Sequence, residues 1–136
     1  MSGSPKRILI GYDGSDCARR ALELAASLAR NGARGTVATV CEMMSVGVPD
    51  PFAAEEQKLL LAEGRDLLAA RSIRADTIDP LDIDPADGLV GAAKKIGADL
   101  IVMGTHSRGP LARVALGSVA GTVVHHAPCS VLVVPD

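Results

Sequence analysis

The residues best equipped to do chemistry lie in one stretch, Gly104-Thr105-His106-Ser107-Arg108-Gly109-Pro110-Leu111-Ala112-Arg113-Val114-Ala115-Leu116-Gly117-Ser118. Its glycines let backbone N–H groups approach an anion with no Cβ in the way. A helix starting at Ser118 leaves its first donors unpaired and carries partial positive charge, so a phosphate is the ligand such a loop suits. The Ser118 hydroxyl, Arg108 and Arg113 add donors, and His106 lies in the same loop. The plainer reading is that Gly104 and Gly109 turn the chain while Gly117-Ser118 only begins a helix. The stretch is no Walker A loop, because Pro110 and Leu111 stand where lysine and Ser/Thr are needed. The first turn, Gly11-Tyr12-Asp13-Gly14-Ser15, lacks the GxGxxG of dinucleotide folds. Asp13 in that turn suits a ribose hydroxyl or a water-held Mg²⁺, although an aspartate there also serves the turn itself.

No base stands beside a nucleophile, no carboxylate pair has opposed environments, and no metal-ligand spacing appears, so no catalytic residue and no metal ligand are assigned. Slow hydrolysis of a bound phosphate ester would need only placement of ligand and water and would not make the chain an enzyme by trade. His125 and His126 fall at the end of the last predicted helix, where they serve its dipole and the surface.

These residues must be positioned by alternating strands and helices. Lys6 to Tyr12 is a short apolar run ending in turn formers, which predicts a buried strand. From Asp16, apolar residues at Ala18, Ala21, Leu22, Ala25, Leu28 and Ala29 recur near 3.6, with Ser15 to cap the helix and Gly32 to end it. Thr36 to Cys41 reads as a second strand. Asp50 and Pro51 then open a helix with an apolar face of Ala53, Leu60, Leu61, Leu67 and Leu68. Ser72 to Ile78 is a third, more polar strand. Asp84 and Pro85 repeat the cap, and Ala86, Leu89, Val90, Ala93 and Ile96 line a helix closed by Gly97. Asp99 to Met103 and Ser130 to Val134 are the last strands, flanking a helix from about Ser118 to His126 that Pro128 stops. Buried strands alternating with amphipathic helices predict an α/β fold: a three-layer, doubly wound domain over 1–136 with a five-stranded parallel sheet and about four helices.

Composition narrows the function. Hydrophobic residues make up 48% of the 136, enough for a real core, but one Tyr, one Phe and no Trp cannot build an aromatic platform for nucleic-acid bases. A net charge of −2 with dispersed cations gives no footprint for nucleic acid or an anionic membrane. Cys17, Cys41 and Cys129 have no CxxC spacing, which points to reduced thiols rather than a disulfide frame or a zinc site. No apolar stretch approaches the ~20 residues of a membrane span, and a cytoplasmic protein is expected.

The pattern Gly104-x2-Ser107-x9-Gly117-Ser118, followed by HHAPCSVLVVP (His125 to Pro135), resembles the G-x2-G-x9-G-(S/T) signature of the universal stress protein family. YDGS (Tyr12 to Ser15) and GADLIVMGTH (Gly97 to His106) are also similar to that family, so the resemblance covers essentially the whole chain. It implies an adenine nucleotide alpha hydrolase-like fold and a stress-response homodimer that binds ATP, AMP or ADP, with Mg held through the phosphates. Carried over by position, Asp13 and Val40 would lie against the adenosine, Met103 and Gly104 beside ribose and α-phosphate, and Gly117 and Ser118 at the outer phosphates. Gly11, Ser107, Arg108 and Val119 complete the implied nucleotide-binding set. In the family the terminal strand pairs across a two-fold axis, which here would be Ser130 to Val134. Ser107 departs from the signature: a serine where glycine is needed for φ > 0 costs about 1 kcal/mol or more. That departure keeps open a nucleotide-free dimeric interaction protein as the alternative. HIGH-like and SGGxDS-like strings of related adenylate-forming enzymes are absent, and a phosphorylated receiver would need a lysine where Val134 and Pro135 stand.

Overall fold

A computed structural model describes residues 5–39, 41–42, 51–82, 84–105 and 117–135. In chain order the elements are β1 (Arg7–Gly11), α1 (Asp16–Leu28), β2 (Arg34–Ala38), β3 (Cys41–Glu42), α2 (Pro51–Ala69), β4 (Ala75–Ile78), β5 (Leu81–Asp82), α3 (Pro85–Ile96), β6 (Leu100–Gly104), α4 (Ser118–His126) and β7 (Ser130–Val134). Five strands form one sheet in the order β4-β2-β1-β6-β7, and every pairing is parallel. The expected five-stranded α/β architecture with four helices is the one found.

Period-2 alternation sorts each strand between two cores. Ile8, Ile10 and Tyr12 point to the side carrying α1 and α2, with Leu22, Val37, Leu68 and Val102. Leu9 points to the other side, with Leu89, Ala93, Ile101, Met103 and Val123 of the α3 and α4 layer. Local chemistry sets the helix ends. Ser15 Oγ accepts from the Ala18 amide at 3.3 Å, and Gly32 at φ 92° closes the short 3-10 turn that follows α1. Asp84 Oδ1 accepts from the Ala86 amide at 2.8 Å ahead of Pro85, and Gly97 at φ 68° ends α3 over Lys94 and Lys95.

The structure differs from the expected elements at three places. The strand read as Thr36 to Cys41 leaves the sheet after Ala38; Thr39 instead donates its hydroxyl to Gln57 of α2, and Cys41–Glu42 pairs with Leu81–Asp82 in a separate parallel ladder. The strand expected from Ser72 starts at Ala75, because Ser72 takes a positive φ of 63° and the Ile73 amide reaches back 3.0 Å to Leu68 O to finish α2. On α2, Leu68 is fully buried and Leu60 and Leu61 pack against the same core, but Leu67 is exposed. The contact line runs instead through Gly64, where a Cβ would stand 2.8 Å from Val37 Cγ1. The side chain of Ala53, and Asp50, lie outside the described residues.

Candidate nucleotide site

The sheet order reverses between β1 and β6: the chain moves outward from β1 to β2 on one side and from β6 to β7 on the other. In an open α/β sheet the crevice for a ligand forms at such a switch point, beyond the carboxyl ends of the strands. A cleft of about 240 Å³ lies there. Its rim comes from the turn after β1 (Gly11, Tyr12, Asp13 and Ser15), the end of β2 (Ala38 and Thr39) and the end of β6 (Met103 and Gly104). The helices close it with Gln57 of α2, Pro85 and Leu89 at α3, and Val119 and Ala120 of α4. The result is apolar walls with a few polar groups at the edge, the usual make-up of a small-molecule site.

Of the positions singled out in the sequence, Gly11, Asp13, Met103, Gly104 and Val119 converge on this cleft, and Gly117 and Ser118 start the helix that forms one wall. Val40, Ser107 and Arg108 lie outside the described residues, as do His106 and Arg113. His125 and His126 stand exposed in the last turn of α4, edge to face with ring centroids 4.8 Å apart.

Asp13 splits its carboxylate. Oδ1 accepts from the Ser15 amide at 2.9 Å, holding the turn that leads into α1, while Oδ2 takes no other described residue. Both readings of this aspartate are thus compatible in one side chain. Among the described residues there is no cluster of three or more His, Cys, Asp or Glu that would hold a metal. The donor set fits Mg²⁺ only as an ion carried by phosphate oxygens, with Asp13 the nearby carboxylate.

At α4, Gly117 is the N-cap with φ −63° and ψ 160°, and no side chain among the described residues caps the helix. Gly117 does not present its own N–H to the cleft: that amide donates to Thr105 O at 2.8 Å and closes the base of the intervening loop. Thr105 in turn donates to Val134 O at 3.0 Å. The amides of Ser118, Val119 and Ala120 have no intrahelical carbonyl and form the positive end of the helix dipole beside the cleft. An anion, rather than a side chain, suits that end.

Gly104, at the rim of the cleft, is also packed closely against α1. A Cβ there would stand 2.4 Å from Cys17 Sγ and 3.1 Å from the Ala18 amide nitrogen. The glycine is what lets β6 meet the first turn of α1, bringing Asp13 and the end of β6 to one rim. Cys17 is buried and Cys129 half-buried, neither in a disulfide among the described residues, and burial together with the Asp99 charge pushes the Cys129 thiol up.

Residues that the sequence did not single out hold α2 to this rim. The Tyr12 hydroxyl donates to Glu63 Oε1, which also accepts from Arg19 Nη2 at 3.1 Å, and Thr39 donates to Gln57 Oε1. A signal was present: Gln57, with Leu60, Leu61, Gly64 and Leu68, falls on the inward line of α2, an odd place for an amide with no duty. Burial first, and then the Glu63 hydrogen bond, push the Tyr12 phenol up to about 12, against a lowering by Arg19. The folded chain holds the neutral phenol more tightly than the unfolded chain does. This stabilisation is therefore whole below about pH 10 and is lost as the pH rises towards 12. With one Tyr and no Trp in the chain, tyrosinate absorbance reports Tyr12 alone. We expect its midpoint about two units above that of free tyrosine, returning towards the free value in Glu63→Gln; a wild-type midpoint near 10 would contradict the linkage.

No helix among the described residues is long and apolar enough to cross a membrane. The universal stress protein family model matches residues 5–135. A universal stress protein of Thermus aquaticus, named for the QAH/OAS sulfhydrylase 3′ region, is 38% identical over 140 residues, covering 95% of this chain and 98% of that protein. The structure of a universal stress protein from Archaeoglobus fulgidus superposes with a TM-score of 0.83 at 25% identity, over 95% of this chain and 98% of that one. A universal stress protein solved in complex with cAMP superposes with a TM-score of 0.79 at 25% identity, over 97% and 98% of the two chains. The parallel sheet and its four helices have the adenine nucleotide alpha hydrolase-like architecture of these neighbours. By its sequence along nearly its whole length, and by its fold, the chain belongs to the universal stress protein family.

Proposed function

We propose that this chain, acting as one domain over 1–136, is a cytoplasmic stress-response regulator that binds an adenine nucleotide in the cleft between β1 and β6. ATP is the favoured ligand, with Mg²⁺ riding on its phosphates. The observation that carries this reading is the meeting of an apolar crevice at the sheet's switch point with the start of α4, which no described side chain caps. The cleft can take a base and ribose along Ala38, Leu89 and Met103, while the Ser118 to Ala120 amides receive phosphate. The relative that holds cAMP supports a ligand of this class. Asp13 serves the ribose or the hydrated metal, Ser107 and Arg108 belong to the same site by their place in the signature, and Val40 belongs to it by the family resemblance. No acid, base or nucleophile is assigned, so the nucleotide is read as a bound signal rather than as a substrate.

Calorimetric titration of nucleotide-stripped protein with MgATP, ADP and AMP tests the proposal. One site per chain, saturating below millimolar ligand, is the expected result. Folded protein that takes up none of the three would sink it and leave the nucleotide-free interaction protein. The dimer belongs to the same proposal: β7 is an edge of the sheet, with Val131, Leu132 and Val133 only partly buried, and a second copy would cover Ser130–Val134. Sedimentation at micromolar concentration should return the mass of two chains; a single-chain mass would contradict the dimer.

A further inference from the structure

The cleft has two ends that differ in chemistry. One lies against β6 and α4, where the amides of Ser118, Val119 and Ala120 have no partner among the described residues and suit an anion. The other lies across β1 at the end of β2, where Thr39 and Gln57 stand beside Ala38 and Leu89. With phosphate at the first end, the base of a nucleotide falls at the second. Gln57 supplies the side-chain amide there. It is held in place by Thr39, itself buried to 6% exposure, whose hydroxyl donates to Gln57 Oε1. With Oε1 engaged, Gln57 Nε2 retains two N–H donors that no other described residue takes. A purine ring presents acceptor nitrogens on each edge, and a side-chain amide is a well-matched partner for them.

We infer that Gln57, oriented by Thr39, reads the base of the bound nucleotide by donating a hydrogen bond from Nε2 to a purine ring nitrogen. This rests on the nucleotide-binding proposal and names a specificity residue within it. Gln57 sits on the inward line of α2, so reading the base would couple nucleotide occupancy to the helix that also anchors Tyr12 through Glu63. The same placement has a merely structural alternative, in which Gln57 only ties α2 to the end of β2. The two are separable, because a tie affects stability alone whereas a reader affects which base is preferred.

The test measures the affinities of AMP and its 1-deaza, 3-deaza and 7-deaza analogues for the wild type, Gln57→Glu and Gln57→Leu, with thermal unfolding of each protein alongside. One deaza analogue should bind the wild type about 3- to 10-fold more weakly than AMP, the effect of a single lost hydrogen bond. Gln57→Leu should weaken AMP by a similar factor and erase the difference between AMP and that analogue. Gln57→Glu, isosteric but without the donors, should do the same. Wild type that binds AMP, with variants that keep its discrimination among the analogues even if their melting temperatures fall, would overturn the inference and leave Gln57 as a tie. Wild type that binds neither AMP nor any analogue would overturn the nucleotide-binding proposal itself, and this inference with it.

Discussion

Gly104→Ala is expected to lower the stability of the folded chain by about 1–3 kcal/mol, the typical cost of forcing a methyl group into packed surroundings. The added Cβ meets Cys17 Sγ at 2.4 Å, Cys17 Cβ at 3.1 Å and the Ala18 amide nitrogen at 3.1 Å. Sulfur at the end of a side chain can move, but the helix backbone cannot move without carrying the first turn of α1 with it. Cys17→Ala removes the sulfur and leaves the other two contacts. The pair should therefore couple: in urea unfolding, the double variant should be more stable than the sum of the singles by about 0.5 kcal/mol or more. Additive effects, or a Gly104→Ala midpoint equal to wild type, would show that the close approach of β6 and α1 is not what this glycine serves. Because the same contact sets the spacing of the rim, Gly104→Ala should also weaken nucleotide binding even though the new methyl group points at α1.

Ser118→Pro should leave the fold intact and weaken binding of adenine nucleotides by about 10- to 100-fold, or more where the hydroxyl is lost with the amide as a donor to a charged group. Ser118 is the first residue of α4, where proline is well tolerated because its missing N–H has no intrahelical partner. Gly117 already has the extended φ −63° and ψ 160° that a residue before proline prefers. The substitution thus deletes a donor proposed to hold phosphate while keeping the helix and its dipole. Titration calorimetry and a melting curve read the two effects separately. Unchanged affinity together with an unchanged melt would remove the start of α4 from the site.

Much of this was legible in the residues because local chemistry and tertiary structure agree there. Ser15, Asp84, Gly32 and Gly97 announce the helix ends in sequence and perform those duties in space. The apolar runs of β1 and β6 identify strands buried on both faces, and their carboxyl ends carry the residues that line the cleft. The less legible parts depend on contacts between distant segments. Leu67 falls in the same apolar run as Leu68, yet only close packing of Gly64 on Val37 determines which of the two faces the sheet. The end of β2 at Ala38, rather than Cys41, is set by the Thr39 bond to Gln57, eighteen residues away, which no local propensity encodes. The glycines of the signature look alike in sequence, but in space they differ. Gly104 is a packing glycine against Cys17, and Gly117 spends its amide on Thr105, leaving the donors to Ser118, Val119 and Ala120.

The location of the nucleotide is the central claim, and amide resonances of labelled protein, followed as MgATP is added, test it most directly. The largest shifts are expected at Ser118, Val119 and Ala120, with accompanying shifts at Asp13, Thr39, Gln57 and Met103 around the cleft. Shifts gathered at Arg7, Arg34 and Lys95, which line a separate groove at the amino ends of β1 and β2, would contradict it.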